Sequence, residues 1–307
     1  MAKEVIIGIG MYVWNGEKTI SKTLRSIIKQ TYKNFIVYIL DNQSTDRTAE
    51  IVKRFQKKDK RIKLIIDKKK RDQGAAPKFL LNQFLKKFKY CLIIGDDDIY
   101  EKKFIEIIFN KLINKKLNMV YSSLNLIDLN EKKFEIRNFP TYCENSSNFF
   151  NLIKFIIYRN CANLFCAGIY QTKSLIRSYK YMKIYDSSLA NYENLMLIDF
   201  LANNKVGYIN NKLFNYRVKD RIEAAKNRNQ KGLFNLQKNS ISKLAIFIYQ
   251  FNFAIRVIKI VNKSYNLNII KKNILFLLVF LLYFQKCTSY IIKSFLKVED
   301  IYKNRTV

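Results

Sequence analysis

The sequence predicts an α/β protein with a mostly parallel central sheet flanked by helices, followed by a C-terminal helical appendage that is both basic and apolar. Three observations predict it. Residues 5–95 alternate β-rich apolar runs with amphipathic stretches in the order β-α-β-α-β-α-β, the order of right-handed parallel crossovers. The apolar runs lack in–out alternation, as expected of strands covered on both faces. Beyond Leu233 the character changes, and residues 234–307 hold twelve Lys or Arg against two acids, Glu299 and Asp300. The expected division is a Rossmann-like domain over 1–232 and a helical region over 233–307.

The elements follow in order. Val5-Ile-Ile-Gly-Ile-Gly-Met-Tyr-Val13 reads as a central strand. A helix over 18–30 follows, with Ile20, Leu24, Ile27 and Ile28 on one face. A strand over 35–40 stops at Asp41-Asn-Gln-Ser-Thr-Asp46, a cluster of turn and N-cap residues. A helix over 48–56 and a strand over 62–66 lead into a basic loop, 67–76. Pro77 is suited to open the next helix, which is expected to run to Phe88. The apolar run from Tyr90 to Gly95 is the fourth strand and ends on Asp96-Asp97-Asp98. A helix over 102–115, a strand over 119–127, a short strand over 132–138 and a helix over 149–158 come next. A helix over 195–202 and two short strands, 206–209 and 213–218, close the domain. The tail offers two helices, 241–261 and 274–296.

Composition excludes several chemistries. The chain has 307 residues and no histidine, so a Ser-His-Asp triad, a His-ligated zinc site and a His general base are all impossible. Any base must be a carboxylate, Tyr, Lys or Cys. Five cysteines, an odd number without a CxxC pair, argue against a disulfide framework and a zinc ribbon and read as reduced thiols. The N-terminus has no signal-peptide profile, so a cytoplasmic location is expected. Lys and Arg number 56 against 24 Asp and Glu, a formal charge of +32, which suits an anionic partner. It also fits the Lys-, Asn- and Ile-rich composition that an AT-rich genome writes.

Three polar clusters lie where parallel strands end: Asn15-Gly-Glu17, Asp41 to Asp46, and Asp96 to Asp98. Open sheets of this type bind ligands beyond those ends. Adjacent carboxylates repel, and burial penalises each charge. A divalent cation relieves both, because hard ions such as Mg²⁺ take carboxylate oxygens and then hold diphosphate. The alternative for the triplet is a solvated acidic turn.

Together these segments resemble the family 2 glycosyltransferases, inverting enzymes of the GT-A fold. Tyr12-Val-Trp-Asn-Gly-Glu17 stands where the family has Pro-x-Tyr-Asn, a small residue and Glu. Leu40-Asp-Asn-Gln-Ser-Thr-Asp-Arg-Thr48 is close to its Asp-Asp/Asn-x-Ser-x-Asp-x-Thr. Ile94-Gly-Asp-Asp-Asp-Ile-Tyr100 occupies the place of its metal-binding DxD-type motif, and Ser26, Gln30 and Tyr32 also follow the pattern. The resemblance is dense over 5–110, thinner to about 218 and absent from the tail.

The resemblance implies a nucleotide-sugar donor, a UDP-sugar above all, lying across the strand ends with Mg²⁺ or Mn²⁺. Tyr12 and Trp14 would border the base, with Glu17 in the same motif. Asp41 and Asn42 would meet the base edge, and Arg71 the base or phosphate. Helix N-capping is the alternative for Asp41 and Asp46, and a solvated lysine-rich loop for Arg71. Asp97 best matches the metal ligand and Asp96 the ribose or metal contact. Gly95 stands where many members carry the first Asp, so the register is open by one residue and Asp98 stays in play. Inversion requires a base for the acceptor hydroxyl. Glu193, in Ala190-Asn-Tyr-Glu-Asn-Leu-Met-Leu197, fits the family's Asp or Glu before an apolar helix, with Asp186 and Asp199 as fallbacks; Asp199 is expected to face solvent. Tyr216-Arg217 resembles the family's Tyr-Arg, as a diphosphate or structural contact, and 160–170 would line the acceptor side.

The expected acceptor is a saccharide or a polyprenyl-linked saccharide in surface polysaccharide synthesis. The longest uncharged apolar run of the tail, 274–284, is 11 residues, and a span needs about 20. Extending that run to Ile292 takes in Lys286, so three readings stay open for the tail: core helices packing on the main domain, a basic amphipathic appendage on the anionic inner face of the cytoplasmic membrane, or a marginal membrane span. A nucleic-acid-binding protein is the rival suggested by charge, but no recognisable nucleic-acid motif is present, and no nucleic-acid partner is expected. A sugar-nucleotide pyrophosphorylase would want a Gly-rich basic loop after the first strand, which Asn15-Gly-Glu17 lacks.

Overall fold

The computed structural model describes residues 5–71, 75–134, 148–158, 168–180, 192–217 and 240–295. The chain divides into two compact units, Met1–Ala224 and Ala225–Val307. The expected boundary at 232/233 lies outside the described residues.

The first unit is built on one mixed sheet. Its strands are β1 (Ile7–Val13), β2 (Phe35–Asp41), β3 (Ile62–Ile66), β4 (Tyr90–Ile94), β5 (Ile99–Tyr100), β6 (Met119–Ile127), β7 (Lys133–Phe134), β8 (Gly168–Gln171) and β9 (Val206–Arg217). Their order is β3-β2-β1-β4-β8-β6-β9-β5, with β7 on β6. The first four pair in parallel, as the alternating order requires. β8 runs antiparallel to both β4 and β6, and β5 runs antiparallel to β9. The expected mostly parallel α/β sheet is therefore present, with antiparallel additions on one side.

β1 sits between β2 and β4, and Ile7, Ile9, Met11 and Val13 are completely buried. Burial of each such side chain favours folding by roughly 1.5–3 kcal/mol. The other face of β1 carries Gly8 and Gly10. A Cβ on Gly8 would lie 2.4 Å from the Phe88 ring, so glycine lets the covering helix approach the strand backbone. That helix, α3 (Ala75–Leu80), starts two residues before Pro77, which still falls in the first turn where its missing N–H is tolerated. It widens into a π-helical turn over Leu81–Leu85, where the Lys86 N–H reaches the Leu81 carbonyl. Both Leu81 and Leu85 are thereby buried.

The remaining helices of this unit are α1 (Ile20–Ile28), α2 (Thr48–Lys58), α4 (Phe104–Asn114), α5 (Asn148–Tyr158), α6 (Thr172–Tyr179) and α7 (Tyr192–Asn203). α1 buries Ile20, Leu24 and Ile27, the stripe its periodicity predicts. α6, between β8 and α7, had no counterpart in the sequence reading.

β9 corrects the sequence reading. The two short strands expected around Asn210-Asn211 form one twelve-residue strand. Its pairing with β6 jumps from Ser122–Ile209 to Ser123–Lys212 and Leu124–Phe214, so the polar pair is absorbed as a bulge. The register beyond the bulge brings Arg217 opposite Ile127 at the end of β6.

The second unit contains α8 (Ser240–Asn262) and α9 (Ile269–Phe295). They pack on one another, burying Ala254, Val257, Ile260 and Val261 of α8 and Leu275 and Val279 of α9. The Asn268 carboxamide accepts the Lys271 N–H at 3.0 Å and caps α9. Among the described residues, no helix is long and apolar enough to cross a membrane.

Candidate active site

The parallel strands end level. Val13 pairs with Asp41, Asp41 with Ile66, and Met11 with Ile94. Four loops therefore leave the sheet along one rim: 14–19, 42–47, 67–71 and 95–98.

The first two loops are locked together. Asn15 adopts a left-handed backbone (φ 53°), which Asn tolerates better than most residues. Its N–H donates to the Ser44 hydroxyl at 3.0 Å, and its Oδ1 accepts the Thr45 N–H at 2.9 Å. The Gly16 N–H donates to Thr48 Oγ1 at 2.9 Å and the Glu17 N–H to Asp46 Oδ2 at 3.1 Å. Glu17 Oε2 accepts the Arg47 N–H at 3.0 Å in return. Asp46 also accepts the Thr48 N–H at 3.0 Å, opening α2. Burial pushes the Asp46 carboxyl up, but the hydrogen bonds from the Thr48 hydroxyl and from the Thr48 and Glu17 N–H groups outweigh it and hold the group below its ordinary range. Asp46 thus does the capping work that was its alternative role, and Glu17, expected in the donor motif, spends a carboxylate oxygen on the neighbouring loop. Asp41 is buried and accepts the Ser44 N–H at 2.9 Å.

The third loop is held by Asn42. Its Nδ2 donates to the Arg71 carbonyl and its Oδ1 accepts the Arg71 N–H, both at 2.7 Å. The amide so imitates a backbone pairing, and both of its polar atoms are used within the protein. The Arg71 guanidinium is not a solvated loop charge: it pairs with Asp67 at 2.5 Å and lies 3.9 Å over the Phe79 ring. Lys70 places its ammonium 3.8 Å over the ring of Trp14, which is 53% exposed, so the first and third loops touch at the rim. Tyr12 is partly buried on β1. Asp67 and Lys70 went unremarked in the sequence, although the strand-end rule that singled out the other clusters applies equally to the end of β3.

The acid triplet divides. Asp96 and Asp97 are partly exposed, whereas Asp98 is fully buried. A Cβ on Gly16 would lie 2.4 Å from Asp96 Oδ2, so glycine makes room for that carboxylate beside the first loop. The Thr23 hydroxyl of α1 holds the Asp96 carbonyl at 2.9 Å. Asp98, one of the two expected metal ligands, is the buried member, and its Oδ1 accepts the Arg217 N–H at 3.1 Å. The Arg217 side chain, 2% exposed, donates from Nε to the Asp97 carbonyl at 2.8 Å and from Nη1 to the Asp128 carbonyl. Of the two roles expected of Arg217, these are the structural contacts. Gln30, buried on the C-terminal side of α1, fastens the far side of the loop: its amide donates to the Glu101 carbonyl and accepts the Ile105 N–H.

Among the described residues, no three His, Cys, Asp or Glu side chains form a ready-made metal cage. A Mg²⁺-type site does not need one, since one or two carboxylates commonly suffice with phosphate oxygens and water. Asp96 and Asp97 supply that number at an accessible rim.

Glu193 is the second residue of α7, in its first turn; its side chain lies outside the described part. Asp186 and most of 160–170 also lie outside it. Asp199 does not face solvent as expected: it is 4% exposed and accepts from the Ser178 hydroxyl at 2.6 Å and from Asn203 Nδ2 at 3.1 Å. Those bonds tie α6 to α7 and make Asp199 a structural acid.

The chain matches the family model described as "Glycosyl transferase family 2" over residues 9–184. Glycosyltransferase GlyA of Streptococcus pneumoniae serotype 4 is 28% identical over 215 residues, 67% of this chain and 30% of that protein. The Escherichia coli UDP-Glc:alpha-D-GlcNAc-diphosphoundecaprenol beta-1,3-glucosyltransferase WfgD is 27% identical over 127 residues, 41% of this chain and 49% of that one. The matched part thus spans less than half the length of these relatives. The crystal structure of S. aureus TarS 1-349 in complex with UDP superposes with a TM-score of 0.60 at 14% identity, covering 99% of this chain and 94% of that one, a likeness of fold.

Proposed function

Because this chain belongs to glycosyl transferase family 2, we propose that it transfers a sugar, with inversion, from a UDP-sugar to a saccharide or polyprenyl-linked saccharide acceptor in surface glycan synthesis, working at the inner face of the cytoplasmic membrane. The observation that carries the reading is the convergence of four strand-end loops on one rim, with Asp96 and Asp97 partly exposed there. The UDP held by TarS and the UDP-glucose and diphosphoundecaprenol substrates in the name of WfgD point to the donor and acceptor classes.

In this reading the base and ribose lie along the ledge formed by Tyr12, Trp14 and Asp41. Asn42 and Arg71 act by shaping the third loop, since their polar groups are engaged with each other and with Asp67. Asp97, with Asp96, would hold Mg²⁺ or Mn²⁺, with Asp98 buried behind them and one of its oxygens on the Arg217 N–H. The cation, when bound, neutralises charge on the departing diphosphate. Glu193 takes the proton of the acceptor hydroxyl as its oxygen bonds to the anomeric carbon, and the anomeric C–O bond breaks with its electron pair leaving on UDP. The chain has no histidine, so the base is a carboxylate, Tyr, Lys or Cys, and Glu193 is the carboxylate in the first turn of α7.

The test is calorimetric titration of UDP with and without Mn²⁺, beside turnover on a panel of UDP-sugars. Asp97→Ala is expected to abolish turnover and the metal-dependent part of UDP binding. Glu193→Gln is expected to keep UDP affinity and lower turnover by ~10²-fold or more. Metal-independent UDP binding in the parent protein, or full turnover in either variant, refutes the assignment concerned.

A further inference from the structure

We infer that the N-terminal half of α9 is a lipid-docking face that lies along, and does not cross, an anionic membrane surface. Ile270, Ile274, Leu277 and Leu281 follow one another at steps of four, three and four, a continuous stripe down one side of the helix. All four are 47–66% exposed. Phe276 and Phe280, about half exposed and with rings stacked at 6.5 Å, widen the stripe on one flank. On the opposite side Leu275 and Val279 are completely buried or nearly so. The second unit has therefore satisfied one face of α9 in its own core and presents a second apolar face outward. Large contiguous apolar surface of this kind marks an interaction site.

Charge selects the occupant. Residues 240–295 contain eight Lys or Arg and no acid. Lys271 sits at the start of the apolar stripe, Lys272 donates to the Asn262 carbonyl at 2.8 Å, and Lys259 and Lys263 sit at the end of α8. A second copy would bring two uniformly cationic surfaces together with no carboxylate between them, which is repulsive at contact distance. An anionic lipid surface meets both properties at once: acyl chains accept the Ile, Leu and Phe side chains while the headgroups neutralise the lysines. The exposed stripe runs lengthwise along the helix, so the contact it offers lies in the plane of the interface. The inference stands on α9 and does not depend on the transfer reaction, because its readout needs no sugar donor.

The experiment is co-sedimentation of the full chain with phosphatidylcholine vesicles and with vesicles containing phosphatidylglycerol, in low and high salt. Partition onto the anionic vesicles is expected to be at least about tenfold stronger and to fall with salt. Leu277→Glu with Leu281→Glu is expected to lower it at least about tenfold with an unchanged circular dichroism spectrum. Because that pair of substitutions can disturb the unit, Phe280→Trp serves as a second probe. Its emission is expected to shift to shorter wavelength on anionic vesicles, with the parent protein as blank. Equal partition onto both vesicle types overturns the inference. So does binding unaffected by the double substitution, an unshifted emission from the Phe280→Trp variant, or a dimer that the substitutions dissolve in a protein that ignores vesicles.

Discussion

Replacing Arg217 by Met keeps most of the aliphatic stem and removes the guanidinium that holds the acid loop. The structure gives the size of the effect. The side chain makes two charged hydrogen bonds to backbone carbonyls, those of Asp97 and Asp128, in a place where it is 2% exposed. Each such bond to a charged group contributes about 1.5–3 kcal/mol, and the carbonyls left behind have little access to water. The expected loss is therefore roughly 3–6 kcal/mol, a large share of the ~5–15 kcal/mol that holds a typical domain together. Urea unfolding followed by circular dichroism reads this directly. A second readout separates support of the site from general stability. Far below the unfolding midpoint, Arg217→Met is expected to weaken Mn²⁺-dependent UDP binding by about 10–100-fold, as loss of an outer support does at metal sites, while metal-independent binding changes less. Arg217→Lys, which can reach one carbonyl at a time, is expected to fall between. A stability change under about 1 kcal/mol with unchanged UDP affinity would refute the argument that this residue fixes the acid loop.

Three further outcomes are expected. Gly16→Ala places a methyl group 2.4 Å from Asp96 Oδ2 and 2.6 Å from Val13 Cγ2; it should lower metal-dependent UDP affinity far more than the same change at a surface glycine, and calorimetry with matched metal concentrations checks it. Burial pushes the Cys91 thiol up to about 12, only partly offset by its contact with Thr172; peptide mapping after alkylation at pH 8 should find this cysteine unlabelled in native protein and labelled in urea. The hydrogen bond from Arg61, against the opposing effect of burial, holds the Asp59 carboxyl below its ordinary range, and Asp46 is held low as well. Groups lowered in the folded state stabilise it fully above their unfolded value, about 4. Stability should therefore drop as pH falls from about 4 through the folded-state values, and Asp59→Asn should flatten the acid limb of a Tm-against-pH curve.

The first half of the fold was legible because its physics is local. β1, β2 and β4 are apolar runs covered on both faces, β3 is an edge strand with Lys63 and Ile66 exposed, each of the four ends on turn-forming polar residues, and the intervening helices carry a single apolar stripe. Strand ends then fall on one rim by chirality alone, so Asn15, Asp41 and Asp96 could be brought together without coordinates. What escaped depends on partners distant in the chain. β5 is two residues long and exists because Ile99 and Tyr100 pair with Asn215 and Phe214. Asn210-Asn211 looks like a strand break in isolation, and only the register against β6 turns it into a bulge. The pairing of the Asn42 amide with the backbone of Arg71, 29 residues on, had no local signal either.

The triplet shows why a motif cannot assign its own members. Asp96, Asp97 and Asp98 are chemically identical, and successive side chains leaving a strand point different ways, so sequence leaves the ligand register open by one residue. Arg217, 119 positions away, fixes one oxygen of Asp98 through its N–H. Its guanidinium accounts for the Asp97 carbonyl. In the proposed site the partly exposed Asp96 and Asp97 would meet the cation, while one oxygen of the buried Asp98 is held by Arg217. The two partly exposed acids sit on a backbone pinned from both sides, by Thr23 on α1 and Gln30 just beyond it and by Arg217 on β9. Such pinning lowers the entropy lost on binding. It also predicts where the cost of a mutation appears: substitutions at Asp96 or Asp97 should act on ligand binding with little effect on unfolding, whereas Asp98→Asn and Arg217→Met should register in both.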